Sequence, residues 1–242
     1  MENYFQDFHS YITNKIEKFY NTQIDNLNAA ADLITNSVIN DGKFFVTGTG
    51  HSHMIAEEFY TRAGGFANVY PILPSEFMLH EHPLKSTAVE RVAEYAEVIM
   101  HIYKIKQGDV VLIASNSGRN GMIVELAKLV RENGAQVIAL TNPRKPENEK
   151  SRHPSGKYLY QYADVVIDNC TGTGDADYFV KEAGTCMGAV STITGAYAAQ
   201  FISIILAKKL SLKGIIPSVF KSSNMDGGDE WNKRLFERYY GV

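Results

Sequence analysis

Two spacings of hydrophobic residues divide the 242-residue chain into an N-terminal segment and a larger remainder. Over the first forty residues, apolar side chains recur every three or four positions, which is typical of amphipathic helices. Asn40-Asp41-Gly42 ends this pattern with residues that favour turns. We therefore expect residues 1–40 to form a helical segment of two long amphipathic stretches that serves dimerisation. Residues 41–242 are expected to form one domain.

Beyond residue 41, short runs of Val, Ile and Leu alternate with segments of helical spacing. Unbroken apolar runs of this kind are typical of strands that are buried on both faces of a parallel sheet. The pattern predicts an α/β fold of three layers, in which helices cover both faces of a five-stranded, mostly parallel sheet. The predicted strands are 44–47, 68–73, 109–114, 136–140 and 163–167, and the predicted helices are 54–62, 86–103, 122–132 and 180–208.

Two loops that follow predicted strands are rich in glycine and small polar residues. Residues 48–52 read Gly-Thr-Gly-His-Ser, and residues 115–120 read Ser-Asn-Ser-Gly-Arg-Asn. Ligands of parallel sheets bind beyond the carboxyl ends of the strands, where the N-termini of helices attract anions. An ordinary helix cap explains one serine of the second loop, but not the whole set. The loops lack a Walker lysine and the third glycine of a dinucleotide site, so we expect a phosphomonoester ligand and no cofactor.

Three motifs together resemble the sugar isomerase (SIS) domain family over roughly residues 30–208. They are Gly-x-Gly-x-Ser at 48–52, Ser-x-Ser-Gly at 115–118 and Val-Ile-Ala-Leu-Thr-Asn at 137–142. The resemblance implies a flavodoxin-like sheet of five strands, a phosphorylated sugar as ligand, and a homodimer or tetramer. It also implies that the phosphate and sugar are bound by Gly50, Ser52, Ser115, Asn116, Ser117 and Asn120, the last of which replaces the family's usual Thr or Ser.

Aldose–ketose isomerisation requires groups that move protons between adjacent carbons and open the sugar ring. Glu58 lies on the flank of the apolar stripe of helix 54–62, so we expect a half-buried carboxylate there; an ion pair with Arg62 is the alternative. His80 and His82 follow the second strand, and the resemblance to SIS isomerase domains implies that one of them opens the ring across a dimer interface. Metal binding and helix capping are the alternatives for these histidines.

Phosphoheptose isomerases are the nearest alternative relatives by resemblance, and they hold zinc with a histidine where Glu58 stands here. The sequence does not keep their zinc ligands, so we expect no metal. Loop 142–158 is rich in Lys and Arg; we expect it to be solvated, with phosphate steering as the alternative. Glu182, at the start of predicted helix 180–208, is a further acid–base candidate, for which a helix-dipole role is the alternative.

The resemblance leaves three functions open. The first is an aldose–ketose isomerase that acts on a sugar or amino-sugar phosphate. The second is a lyase (etherase) that acts on an amino-sugar phosphate with the same carboxylate chemistry. The third is a non-catalytic phosphosugar sensor or adaptor.

Charge and composition restrict the partners and the compartment. The formal net charge of −3 gives no overall attraction for nucleic acid or an acidic membrane. Cys170 and Cys186 lie in different predicted elements, which is typical of a protein in a reducing compartment. The sequence shows no signal peptide and no apolar run of about 20 residues that could cross a bilayer. We therefore expect a soluble cytoplasmic protein without nucleic-acid or membrane partners.

Overall fold

The computed structural model describes residues 3–242, which form helices around one parallel sheet and a separate two-stranded hairpin. The helices are α1 (Tyr4–Ile39), α2 (Met54–Phe59), α3 (Pro83–Val89), α4 (Tyr95–Tyr103), α5 (Gly121–Glu132), α6 (Ser191–Leu212) and α7 (Gly228–Tyr240). The strands are β1 (Phe44–Gly48), β2 (Val69–Ile72), β3 (Val110–Ser115), β4 (Gln136–Thr141), β5 (Val165–Asp168), β6 (Ala176–Val180) and β7 (Thr185–Ala189).

The main sheet has the strand order β2-β1-β3-β4-β5, and all four pairings are parallel. Alternate side chains of each strand point to opposite faces. Phe44 and Val46 of β1 pack with α1, α2 and α6, whereas Phe45 packs on the other face with α4 and α5. The predicted α/β fold with three layers and five strands is therefore confirmed.

One uninterrupted helix, α1, replaces the two predicted N-terminal stretches. The side chain of Asn3 caps its start, and residues 1–2 of the predicted segment lie outside the described residues. Its buried stripe includes Phe19 and Leu27, and the helix packs against α6 and β5. The predicted division of the chain at residue 40 stays a prediction, although α1 contributes side chains to the main core.

Two predicted helices are wrong in part. The helix expected at 86–103 is interrupted at residues 90–94, so that α3 and α4 are separate. The helix expected at 180–208 begins only at Ser191, because residues 176–189 form the antiparallel β6–β7 hairpin. Gly184 occupies the left-handed region in the hairpin turn with φ of 63°, a conformation that ends helical spacing. Glu182 therefore lies in the single 3-10 turn of the hairpin and not at the start of α6.

Helix α7 was not predicted. It packs on the segment that precedes β2, where Ala67, Phe220 and Leu235 form a small apolar cluster. Tyr240 donates its hydroxyl to the carbonyl oxygens of Ala67 and Val69, at 2.9 and 2.8 Å. Within residues 3–242, no helix is long and apolar enough to cross a membrane. The cytoplasmic location stays a prediction.

Candidate functional site

A narrow cleft opens at the carboxyl edge of the sheet, between the loops that follow β1 and β3. The chain builds the sheet outward in one direction from β1 to β2 and then in the other from β3 to β5. In such sheets, ligands bind at the point where the strand order reverses. The side chains and backbone that line the cleft belong to Ser52, Ile55, Ala114, Ser115, Asn116, Leu140, Asn169, Ser191 and Thr192.

Residues 115–120 form a turn in which several backbone amides have no acceptor among the described residues. The amide of Gly118 donates to Ser115 Oγ at 3.1 Å. Gly118 has φ of 56°, and a Cβ there would lie 2.8 Å from Thr141 Oγ1, so only glycine fits without strain. In the described chain, the amides of Ser117, Arg119 and Asn120 have no hydrogen-bond acceptor. Successive unpaired amides at the start of α5 make an anion-binding concavity.

The loop after β1 forms the facing wall of the cleft. Gly48 is required because a Cβ there would lie 2.4 Å from the carbonyl oxygen of Ser52. Gly50 adopts a left-handed φ of 56°, and its carbonyl oxygen contacts the His53 ring. The hydroxyl of Ser52 has no hydrogen-bond partner among residues 3–242 and lines the cleft. This hydroxyl is therefore available to a ligand.

The floor of the cleft holds an ordered polar cluster. Asn116 Oδ1 accepts hydrogen bonds from Asn169 Nδ2 at 2.8 Å and from Thr171 Oγ1 at 2.9 Å. Asp175 accepts hydrogen bonds from the amides of Val190 and Ser191, and so caps α6 beside the cleft. These bonds fix side chains of two strand-end loops, the one after β3 and the one after β5.

Glu90 connects the two loops that flank the cleft. Its carboxylate accepts from Thr49 Oγ1 at 2.7 Å and from Asn120 Nδ2 at 2.8 Å. Burial raises the pKa of the Glu90 carboxyl above its usual range, against a smaller opposing effect of the Thr49 hydrogen bond and of nearby Arg152 and Arg91. Glu90 does not line the cleft itself, but a carboxyl of raised pKa beside a cleft is a candidate general acid–base group.

The side chain of Asn120 is therefore occupied within the protein. Its amide nitrogen contacts Glu90, and its Oδ1 accepts from Arg152 Nη1 at 2.8 Å. Ser117 differs, because its hydroxyl makes no hydrogen bond within the described part of the chain. Of the predicted phosphate ligands, Ser115 and Ser117 carry hydroxyls at the turn, whereas the side chain of Asn120 is engaged and its backbone amide is unpaired. Their binding of phosphate stays a prediction.

Loop 142–158 folds back on residues 115–120 instead of extending into solvent. Lys145 Nζ donates to the Ser117 carbonyl oxygen at 2.6 Å, and burial lowers the pKa of this lysine. Burial and the like charges of Arg119 and Arg91 lower the pKa of Arg152. Crowding of cations beside unpaired amides makes this corner of the molecule favourable for an anion.

Glu58 lies outside the cleft lining. It is half-buried, as expected, whereas Glu57 is exposed. Its Oε1 is in an ion pair with Arg62 and accepts from Gln200 Nε2 at 2.6 Å. The ion pair with Arg62, which was the alternative to a catalytic role, is present. The catalytic role stays a prediction.

The two histidines after β2 are exposed and do not line the cleft. His82 is the residue before α3, but its side chain does not cap that helix. Helix α3 contacts the loop that carries residues 50–53, so the segment lies beside one wall of the cleft. Among residues 3–242, no three His, Cys, Asp or Glu side chains are grouped so that they could hold a metal ion. The roles of His80 and His82 stay predictions.

Sequence reasoning missed three parts of the site. Glu90 was placed inside a predicted helix. A carboxylate three residues before Ala93, on the apolar face of that helix, was a signal that could have singled it out. Ser191 and Thr192 were missed because they fell within the predicted helix 180–208. The contacts of loop 142–158 have no signal in the local sequence.

Comparisons with known proteins agree with this geometry. The family model of the SIS domain matches residues 7–142. The UPF0309 protein BH3325 of Halalkalibacterium halodurans is 42% identical over 239 residues, which cover 99% of each chain.

Solved structures show the same fold at low sequence identity. The phosphoheptose isomerase GmhA of Neisseria gonorrhoeae has a TM-score of 0.55 and 16% identity over 86% of this chain and 98% of that one. The Vibrio vulnificus NanR protein, complexed with ManNAc-6P, has a TM-score of 0.56 and 13% identity over 98% of this chain and 70% of that one. With the matched SIS model and the five-stranded sheet, these findings show that the chain belongs to the SIS domain family.

Proposed function

We propose that the protein binds a phosphorylated sugar in the cleft between β1 and β3, with the phosphate on residues 115–120. The unpaired amides of Ser117, Arg119 and Asn120 carry this proposal, because three unpaired donors within four residues at a helix start suit the oxygens of a phosphate. The complex of the structurally similar NanR with ManNAc-6P supports the class of ligand.

The charges around the turn favour a dianion. Lys145 and Arg152 contact the turn through the Ser117 carbonyl oxygen and the Asn120 side chain. Lys145 is partly removed from water, where hydrogen bonds to a charged phosphate are stronger than at an open surface. Gly50, Ser52 and Asn116 then face the sugar from the walls of the same cleft.

We further propose that the bound sugar undergoes aldose–ketose isomerisation with Glu90 as the acid–base group. Because its pKa is raised, this carboxyl gains and loses its proton at a pH closer to neutral than an ordinary glutamate does. Its hydrogen bonds to Thr49 and Asn120 keep the carboxyl between the sugar wall and the phosphate turn. Glu58, His80 and His82 are the competing catalytic set. A lyase acting on an amino-sugar phosphate would use the same carboxylates.

One observation favours a non-catalytic sensor as the second candidate. Glu58 is engaged by Arg62 and Gln200, and neither His80 nor His82 lines the cleft. The catalytic set that the resemblance implied is therefore not assembled in a single chain. A phosphosugar sensor requires the phosphate turn but none of these groups.

We also propose that the protein dimerises through the beginning of α1 and the β6–β7 hairpin. Phe5 of α1 and Phe179 of β6 are exposed apolar side chains of these two elements, by 91% and 63%. Phe8 packs on Tyr178 with ring centroids 5.3 Å apart, which fixes the helix against the hairpin. Large exposed apolar side chains are frequent at protein interfaces.

Binding of a panel of sugar phosphates, measured by thermal shift and calorimetry, tests the ligand class. We expect a cognate sugar phosphate to raise the melting temperature, because a ligand that binds only the folded state stabilises it. The dephosphorylated sugar should give no shift. Ser117→Ala should weaken binding by about tenfold, and the matched control Ser211→Ala, at the far end of α6, should not. Absence of any shift across the panel contradicts the proposal.

Turnover of the cognate sugar phosphate then separates the catalytic sets. Glu90→Gln should lower kcat by about 10²-fold to 10⁴-fold while binding is retained, as expected for loss of a general acid–base group. Glu58→Gln and the double variant His80→Ala, His82→Ala serve as the competing test. A wild-type protein that binds but turns over no sugar phosphate is a sensor.

A further inference from the structure

A second groove lies at the opposite edge of the sheet from the cleft. It is lined by Lys43 and Asn68, which immediately precede β1 and β2. Because β1 has five residues, at about 3.3 Å per residue the two edges are separated by roughly 16 Å. The end of α7 and the segment after α6 form the other walls, and the groove has a volume of about 700 Å³. This volume is typical of sites for small molecules.

Asn68 is the polar side chain of this groove that is free to bind a ligand. The residue is only 8% exposed, and its side chain makes no hydrogen bond with any other residue of the described chain. Its amide atoms are not sealed in the core, because the residue lines the groove. The donor and the acceptor of this amide stand side by side and are open to the groove. That pair is complementary to the edge of a nitrogen heterocycle, as in the recognition of adenine by asparagine.

Two cations of the groove have no carboxylate partner among residues 3–242. Lys43 Nζ lies 5.0 Å from the centre of the Tyr70 ring, and the Arg238 guanidinium lies 5.2 Å from that of Tyr239. Asp41 is the single acidic residue that lines the described groove. The groove therefore has a net positive lining, which favours an anionic ligand.

Aromatic surface completes the groove. The Tyr70 hydroxyl also lacks a hydrogen-bond partner in the described structure, and burial raises the pKa of this phenol, so that it stays a neutral donor. The Tyr239 hydroxyl is held by Ser218 at 2.8 Å, which fixes that ring. Aromatic faces bind planar rings by stacking.

We propose that this groove is a second ligand site for a nucleoside monophosphate. Lys43 and Arg238 bind the phosphate, and the edge of the base pairs with the Asn68 amide. None of these residues lines the cleft at the other edge of the sheet. The inference is therefore independent of the function proposed for that cleft.

Titration calorimetry with AMP and UMP tests the site on the full chain, with adenosine and inorganic phosphate as fragments. We expect saturable binding of one nucleotide per chain, and weaker binding of each fragment. Lys43→Gln and Arg238→Gln should each weaken binding by about tenfold, because each removes a charged partner of the phosphate. Lys233→Gln, on an exposed position of the same helix as Arg238, is the matched control and should have no effect.

Three results would overturn the proposal. The first is that the wild-type protein binds no nucleotide. The second is that Lys43→Gln and Arg238→Gln both bind it with unchanged affinity. The third is that Ser117→Ala loses nucleotide binding, which would place the nucleotide in the cleft. Asn68→Ala should weaken the binding of AMP more than that of inorganic phosphate. If this variant does not fold, Lys43→Gln and Arg238→Gln still decide the outcome.

Discussion

At the residue scale, the Glu90 carboxyl is a buried acid beside the cleft whose pKa is shifted from its ordinary value. Burial raises its pKa above the usual 4.5, so the folded protein holds this proton more tightly than the unfolded chain does. The contribution of Glu90 to stability is therefore largest below the unfolded pKa. It falls as pH rises through the folded pKa, because an ionised buried carboxylate is costly.

Glu90→Gln should remove this pH dependence. We expect the difference in free energy of unfolding, wild type minus variant, to decrease as pH rises above about 4.5. Urea unfolding between about pH 4 and pH 8 measures it. The exposed neighbour Glu94, changed to Gln, is the matched control and should follow the wild type. Parallel wild-type and Glu90→Gln curves over this range would contradict the assignment.

Single residues of the cleft and its loops differ in how far the local sequence predicts their place and contacts. Ser52, Ser115 and Asn116 were predicted at a ligand site, and all three line the cleft, because the end of a parallel strand fixes where its loop lies. The partner of Asn120 was not predictable. Its contacts with Glu90 and Arg152 join segments thirty or more residues apart, whose meeting depends on tertiary packing.

At the element scale, the strands of the main sheet were predicted closely and the helices around the site were not. Buried parallel strands read as unbroken apolar runs, so their sequence determines them well. The β6–β7 hairpin was mistaken for helix because Val180, Met187 and Val190 are apolar at spacings that a helix also allows. Predicted helix 86–103 contains α3 and α4, and its apolar stripe continues across the break at residues 90–94.

Loop 142–158 is the element through which the phosphate turn gains its positive charge. The loop is held by the His153 ring, whose Nε2 lies 2.6 Å from Glu125 Oε2, and by the hydrogen bond from the Arg152 amide to the Arg119 carbonyl oxygen at 2.8 Å. The loop therefore places Lys145 at the turn as a fixed charge and not as a mobile one.

Lys145→Met should weaken binding of the cognate sugar phosphate by about tenfold to a hundredfold, because a charged hydrogen-bond donor near the phosphate is lost. The free energy of unfolding should change little or increase, since the variant relieves burial of a cation. Lys150→Met, on an exposed position of the same loop, is the matched control. Calorimetry of both variants checks this, and equal affinities would show that Lys145 only supports the loop.

At the scale of the whole molecule, α1 connects the core to the hairpin. Its middle is buried against α6 and β5, while its first turns extend along β6 and β7. Lys15 Nζ is in an ion pair with Asp177 at 2.8 Å, and Tyr11 also contacts Asp177, so the hairpin is fixed to the helix. This arrangement gives the exposed apolar side chains at the end of the molecule a rigid base. Rigid apolar surfaces associate with little loss of conformational entropy.

If this surface is the dimer interface, charges placed on it should separate the subunits. The double variant Phe5→Asp, Phe179→Asp should convert the dimer to a monomer, because two charged groups per subunit would be desolvated in the interface. Leu212→Asp, at an equally exposed apolar position at the end of α6, is the matched control and should leave the dimer intact. Sedimentation equilibrium measures both masses. A monomeric wild type, or a double variant that remains dimeric, would exclude this surface. If the monomer still binds the sugar phosphate but loses turnover, a group from the second subunit is required for the chemistry, as predicted for His80 or His82.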